Sequence, residues 1–248
     1  MQLLSVTEPV SVNELICYII SISGVIMGTS MEQTKVIRYP ILSVFLILIF
    51  FFSPRIMAHP HSFIEMDTTL VTDNHHFTGL NYVWVMDPMT SADILYDLLK
   101  TQEDSPQWKK QAASVMANII GQSYFSELYY QNKKQPLKLF PDEYKMTRKG
   151  LQIVMSYQVS LLHPIPLAGS TIDLLTYEPT FFVSMAYTGS GTLHLSKPSE
   201  SACKLTLTEA QPSDELKNYA LSLDTGETPD DDLTLGRQFA QRVTLQCH

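Results

Sequence analysis

The residues best suited to chemistry in this sequence are two histidines around a proline, His59-Pro60-His61, directly after Met57-Ala58. In an extended segment, residues i and i+2 point to the same side, so the two imidazoles can converge on one ion. Pro60 has no amide hydrogen, which rules out a square-planar site built on a deprotonated second amide. Two metal arrangements remain. One is a copper histidine brace, in which a newly made terminal amine at His59 joins both rings. The other is a zinc or nickel site in which a carboxylate completes two imidazoles. A solvated chain end with no ligand is the plain alternative. Asp87, in Trp84-Val-Met-Asp87-Pro88, ends a strand where a helix should begin. Its carboxylate serves either as a ligand, as a partner fixing an imidazole tautomer, or as a helix cap. Glu178, in Tyr177-Glu-Pro-Thr180, sits where proline demands a turn or bulge. It either faces a site or bonds local amides. Glu65 and Asp67 share parity with His61 and are reserve ligands on what otherwise reads as a solvated face. His75 and His76 fall in a turn, and His163 and His194 read as structural.

Other chemistries lack their residues. The run Asp230-Asp231-Asp232 has neither the glycine nor the downstream glutamate of a calcium loop. The sequence has no GxSxG, HExxH, CxxC, Walker or dinucleotide-binding glycine pattern. Nothing nominates a nucleophile with its base, so the expectation is a protein that is not an enzyme. The formal net charge is −8, and clustered cations able to cover a phosphate backbone are missing, which argues against nucleic acid as a partner.

The histidines gain meaning from what precedes them. Residues 31–58 have a weakly basic start (Lys35, Arg38), an apolar run from Ile41 to Phe52, then Ser53-Pro54 and a small Ala58. That is the layout of a secretory signal peptide, and its core of about a dozen residues is shorter than the roughly twenty a membrane span needs. Cleavage after Ala58 would make His59 the first residue, although Ile56 at the third position before the cut is larger than usual, and an uncleaved membrane anchor is the alternative. Residues 1–30 read as an extension from a mis-called start, with Met27 or Met31 as the true one. Residues 59–248 then form one periplasmic domain. Residues 1–58 together hold three acids and three bases, so the domain keeps the whole net charge. It also keeps Cys203 and Cys247, an even pair expected to form a disulfide in an oxidising compartment, with a thiolate metal pair as the alternative.

Periodicity predicts the scaffold. Ser62–Val71 and Thr78–Met86 read as a hairpin. A helix follows, with Thr90 and Asp93 as a capping box and Ile94, Leu95, Leu98 and Leu99 as its apolar stripe. A second helix is expected from Gln107 to about Ser126. Period-two segments then predict strands at 137–147, 151–162, 171–177, 180–187, 192–196 and 203–209, with turns at Gly150 and Gly189-Ser-Gly191. A short helix at 213–221, an acidic loop at 224–232 and a last element ending at Cys247 complete the chain. The expected class is α+β, a mostly antiparallel, sandwich-like sheet with two to four helices.

Four segments together carry a resemblance: Ala58-His-Pro-His61 after the leader, Trp84-x-x-Asp87, Tyr177-Glu-Pro-Thr180, and Leu235-Gly-Arg-Gln-Phe-Ala240 before Cys247. In their order and spacing they resemble the periplasmic family of unknown function numbered one thousand and seven, which includes ZevA-like proteins. The resemblance implies a periplasmic accessory of zinc or nickel/cobalt uptake that works beside an inner-membrane permease. It carries a site role onto His59, His61, Trp84, Asp87, Tyr177 and Glu178. Two departures stand out. Thr101-Gln-Glu-Asp-Ser-Pro106 is shorter than the acidic segment many members carry there, and Glu178-Pro-Thr-Phe181 stands where Asp-Pro-Thr-Tyr is usual. A secreted copper-brace redox protein and a purely structural or interaction domain of the envelope are the competing readings.

Overall fold

Strands β1 (Ser62–Thr72) and β2 (His76–Met86) form the expected hairpin, closed by Asp73, whose side chain accepts from the amides of His75 and His76. The computed structural model describes residues 60–73, 75–196, 203–223 and 234–248. His59, the leader and upstream extension, and the acidic run at 224–232 lie outside these residues. β1 alternates inward Met66, Thr68 and Leu70 with outward Glu65, Asp67 and Thr69, the period-two signature of a strand with one face in the core. Its partner β2 puts Leu80, Tyr82, Trp84 and Met86 on that same inner face.

Among the described residues, eleven strands in two mostly antiparallel sheets and four helices make the class α+β. The first sheet runs β5 (Glu143–Lys149), β6 (Gln152–Pro166), β2, β1, β8 (Val183–Ala186). Both β8 and the short β9 (Leu193–Leu195) pair with β1 in parallel. The second sheet runs β10 (Cys203–Thr208), β11 (Arg242–Cys247), β7 (Thr171–Thr176), β3 (Ser126–Tyr130), β4 (Lys133–Gln135). Both sheets feed one buried cluster. In the first sheet Tyr82 stands opposite Tyr157, and Trp84 opposite Met155. In the second, Leu174 stands opposite both Val243 and Leu128. A hydroxyl contact of 2.8 Å between Tyr82 and Ser126 crosses from one sheet to the other. The aromatic rings of Tyr82, Trp84, Tyr124 and Tyr157 pack at centroid distances from 5.0 to 5.9 Å, where ring quadrupoles attract.

The helices depart from expectation at their ends. α1 (Pro88–Tyr96) starts two residues before Thr90, and its cap is Asp87, not a Thr90–Asp93 box. Pro88 at the first helical position needs no hydrogen-bond partner, and Asp87 supplies the acceptor for the next two amides. α2 (Pro106–Gly121) begins on Ser105 and buries Trp108, Ala112, Met116 and Ile119 as its periodicity predicts, but it stops at Gly121. Beyond it Ser123, Tyr124 and Phe125 all take left-handed backbone, φ 51°, 61° and 52°. The chain then turns into the β3–β4 hairpin, which the helical reading of 107–126 concealed. That hairpin closes on Gln131-Asn132, both at positive φ, as a tight two-residue turn requires. The strand expected at 137–147 starts only at Glu143. Pro136 and Pro141 lack the amide a continuous ladder needs, and 136–142 instead makes isolated bonds to β6. α3 (Asp214–Ser222) is capped by Ser213, and a fourth helix, α4 (Leu235–Phe239), covers the Leu-Gly-Arg-Gln-Phe segment. Among the described residues no helix is long and apolar enough to cross a membrane.

Cys203 and Cys247 stand opposite one another on β10 and β11 and are joined by a disulfide. The last strand is thereby held to the second sheet at its C-terminal end.

Candidate functional site around the start of the first strand

Three successive amides at the start of β1 are held by the two other motifs. The His61 and Ser62 N–H groups both donate to the carbonyl of Phe182, at 3.0 and 3.3 Å. The Phe63 N–H donates to Asp87 Oδ2 at 2.9 Å, and the Asp87 N–H returns to the Phe63 carbonyl at 2.9 Å. The backbone of residues 61–63 is thus held from both sides, at His61 and Ser62 by the turn leading into β8 and at Phe63 by Asp87 after the end of β2. The His61 ring lies 4.9 Å from the Phe182 ring. Phe63, two residues on and on the same face, is 52% exposed, and Phe182 is 42% exposed. The imidazole therefore sits beside one partly open aromatic ring, that of Phe182.

The Asp87 carboxylate is crowded with donors. Oδ1 accepts from the amides of Met89 (2.8 Å) and Thr90 (3.0 Å), while Oδ2 accepts from Phe63 N–H, the Thr90 hydroxyl (2.6 Å) and the Ser62 hydroxyl (3.2 Å). Partial burial pushes its pKa up, but the Phe63 amide and the Thr90 and Met89 donors together outweigh that and bring it down to about 2. Of the roles open to Asp87 from sequence, the cap is the one its hydrogen bonds describe. It also ties α1 to β1.

Glu178 builds its own turn. Oε1 accepts from Thr180 N–H (3.0 Å), and Oε2 accepts from the Thr180 hydroxyl (2.7 Å) and the Phe182 amide (2.8 Å). Since Phe182 in turn accepts from His61 and Ser62, the Glu178 carboxylate is one hydrogen bond removed from the backbone that carries His61. Phe181 takes φ 61° in this turn, a conformation strained for a bulky residue. Its ring stacks on Phe239 of α4 at 4.0 Å and 13°. Gly236 of α4 donates to the Pro179 carbonyl at 2.9 Å, and a Cβ there would lie 1.8 Å from the Glu178 carbonyl oxygen. Only glycine permits this approach. The Leu-Gly-Arg-Gln-Phe and Tyr-Glu-Pro-Thr motifs, some sixty residues apart in sequence, thus form one packed unit.

The remaining sequence candidates go elsewhere. Trp84 is buried in the core, 1% exposed, with its ring against Tyr82 and Tyr157. Tyr177 joins a polar cluster around Glu127, which accepts from Lys134 (3.0 Å), Tyr129 (3.0 Å) and Arg237 (3.1 Å). Burial first, and the Glu127 carboxylate next, push the Tyr177 hydroxyl up to about 12. Glu65 is exposed on the outer face, whereas Asp67 has a partner the sequence did not suggest. Parallel pairing of β9 with β1 sets His194 beside it, Nε2 to Oδ2 3.1 Å. Among the described residues there is no group of three or more His, Cys, Asp or Glu side chains arranged to hold an ion. His59 stands immediately before those residues. What the sequence could not reveal was the clamp itself, since Phe63, Phe182 and Gly236 contribute backbone and rings in place of titratable groups.

Comparison with known proteins places these motifs in context. The family model described as "Protein of unknown function (DUF1007)" matches residues 44–247. A chain of Haemophilus influenzae described as an uncharacterized protein is 36% identical over 203 residues, covering 82% of this chain and 97% of that one. The histidine-bearing strand start, the Asp87 cap and the Glu178 turn clasped by Gly236 all fall within the matched span, and the chain belongs to this family of proteins of unknown function.

Proposed function

We propose that the chain is a periplasmic accessory of transition-metal uptake, which takes up a divalent cation, zinc or nickel first and cobalt next, and hands it to an inner-membrane permease. The observation that carries this reading is the clamp on residues 61–63, which holds the backbone bearing one imidazole two residues after a second histidine in the sequence, His59. In this reading the ion is cargo. His59 and His61 touch it, while Asp87 and Glu178 position the backbone that presents His61. A carrier needs ligands that release as readily as they bind. Imidazole does this, because it must be deprotonated to coordinate and acidification therefore lowers affinity. The Cys203–Cys247 disulfide suits an oxidising compartment such as the periplasm, and the leader-like segment upstream agrees with export.

The test is calorimetric titration of the mature protein, residues 59–248, with zinc and with nickel. One ion per chain is expected to bind. Replacing both histidines, His59→Ala with His61→Ala, should weaken affinity at least about a hundredfold, each ligand lost costing tenfold or more. Unchanged affinity in the double variant refutes the assignment. A copper(II) spectrum showing a terminal-amine ligand, together with redox turnover, would favour the copper-brace reading over the carrier.

A further inference from the structure

Helix α4 touches both sheets. Gly236 and Phe239 clasp the Glu178 turn, which leads through Phe182 into β8 of the first sheet. Arg237, the one charged residue of the helix, reaches instead to β3 of the second sheet, where its Nε donates to Glu127 Oε2 at 3.1 Å. The same carboxylate is held on its own sheet by the Tyr129 hydroxyl and by Lys134 across the β3–β4 hairpin, both at 3.0 Å. The Glu127 side chain is only 18% exposed, so water competes weakly for it. Burial pushes its carboxyl up, but the Lys134, Arg237 and Tyr129 donors outweigh burial and hold it below its usual value. Glu127 is thus a charged, fixed anchor at neutral pH.

The Glu178 turn is held at its start and in its middle. The Tyr177 N–H donates to the Phe125 carbonyl at 2.9 Å, which fixes where the turn leaves the second sheet. Its middle is held from α4, by Gly236 on the Pro179 carbonyl and by Phe239 on the Phe181 ring. The placement of α4 therefore sets the placement of the Phe182 carbonyl, on which the His61 and Ser62 amides rest. At its C-terminal end α4 runs through Ala240 and Gln241 into β11 of the second sheet. The Arg237–Glu127 bond adds a second attachment to that sheet. Buried Leu235 supplies apolar contact, which is non-directional, whereas two attachments fix the rotation of a five-residue helix.

We infer that Arg237, acting through Glu127, is a positioning residue for the strand start that carries His61: the ion pair orients α4, α4 orients the Glu178 turn, and the turn presents the Phe182 carbonyl to the His61 and Ser62 amides. The bearing of this coupling on ion capture rests on the carrier reading above. Its bearing on the strand start does not.

The test is amide hydrogen exchange of the mature, disulfide-intact protein, followed residue by residue by NMR. Arg237→Gln should speed exchange at His61 and Ser62 about threefold to tenfold, as loss of one partly buried ion pair implies, while amides of the β2–β6 ladder stay within about twofold of the parent. Leu235 and Phe239 keep their packing in this variant, so the fold is retained. Glu127→Gln should act in the same way, and combining it with Arg237→Gln should add little, since the two work as one unit. Arg237→Lys, which keeps a cation within reach, should restore most of the protection. Lys134→Gln removes the other cation from Glu127 without touching α4, and should leave His61 and Ser62 as in the parent. The proposal is overturned if Arg237→Gln leaves these two amides unchanged, if exchange rises equally through the β2–β6 ladder, or if Lys134→Gln has the same effect as Arg237→Gln. Zinc titration of the same variants separates the two readings. A parent that binds no zinc, or faster exchange with undiminished zinc affinity, contradicts the carrier, while the exchange rates still decide the coupling.

Discussion

Replacing Asp87 distinguishes a residue that holds the strand from one that holds an ion. Asp87→Ala removes the acceptor for two helix amides, for the Phe63 amide and for two hydroxyls. An N-cap is worth about 0.5–2 kcal/mol, and orphaning the strand amide adds on the order of 1 kcal/mol, so the loss should be about 2–3 kcal/mol. For a domain of this size that is a fall in Tm of roughly 4–12 °C. Asp87→Asn keeps a good cap and one oxygen, so it should cost about 1 kcal/mol or less. The pH dependence follows from the depressed pKa. The folded carboxyl titrates at about 2 and the reference is 3.8, so the folded state binds the proton less tightly. Its contribution is full above pH 3.8 and is lost as the pH falls through about 2. Solvent screening at this partly exposed position limits that contribution to about 1 kcal/mol. The assay is thermal unfolding of parent, Asn and Ala variants between neutral pH and pH 2, paired with zinc titration at neutral pH. The parent should lose more stability on acidification than the Ala variant does. A scaffold role predicts that Asn binds zinc within about threefold of the parent. If Asn loses the ion tenfold or more while keeping its Tm, Asp87 is a ligand and the positioning argument is wrong.

Three other perturbations probe the same frame. Gly236→Ala forces a methyl against the Glu178 carbonyl, so about 1–3 kcal/mol of stability should be lost, seen as a lower denaturation midpoint with unchanged slope. Opening the Cys203–Cys247 bond, which spans 44 residues, should cost about 4 kcal/mol on the loop-entropy model, measured by denaturant unfolding with and without reductant. His194→Ala should shift stability by less than about 1 kcal/mol, because its pairing with Asp67 is half exposed. A larger loss there would reveal a role that the pair's geometry does not convey.

Much of the scaffold was legible because one physical signal sufficed for it. The β1–β2 hairpin, the core stripe of α2 and strands β6, β7 and β10 each bury one face, and burial writes a period of 2.0 or 3.6 directly into the side chains. The helix–hairpin junction at 122–135 was not legible. Its turn is made by Ser123, Tyr124 and Phe125, none of them a glycine or proline, so the sequence continues a helical pattern where the backbone reverses hand. The cap of α1 was misplaced for a related reason: Thr90 and Asp93 have the right types, but Asp87 before Pro88 has the right position. At the site, residue types nominated His61, Asp87 and Glu178, and the structure does bring their motifs to one strand end. What they do there depends on contacts between distant segments. The Glu178 turn needs Gly236 and Phe239, and the clamp on His61 acts through the Phe182 carbonyl, for which side-chain chemistry gives no signal. The parallel placement of His194 beside Asp67 was equally hidden, since β9 and β1 lie more than a hundred residues apart.

The location of the ion is the most direct measurement. Nickel(II) is paramagnetic, and added below stoichiometry to isotopically labelled mature protein it broadens the amide resonances nearest to where it rests. Broadening should begin at His61 and Ser62 and extend to Phe182 and Phe63, sparing His194 and Asp67. Signals lost first around His194, scattered over the acidic surface, or nowhere at all would contradict the account.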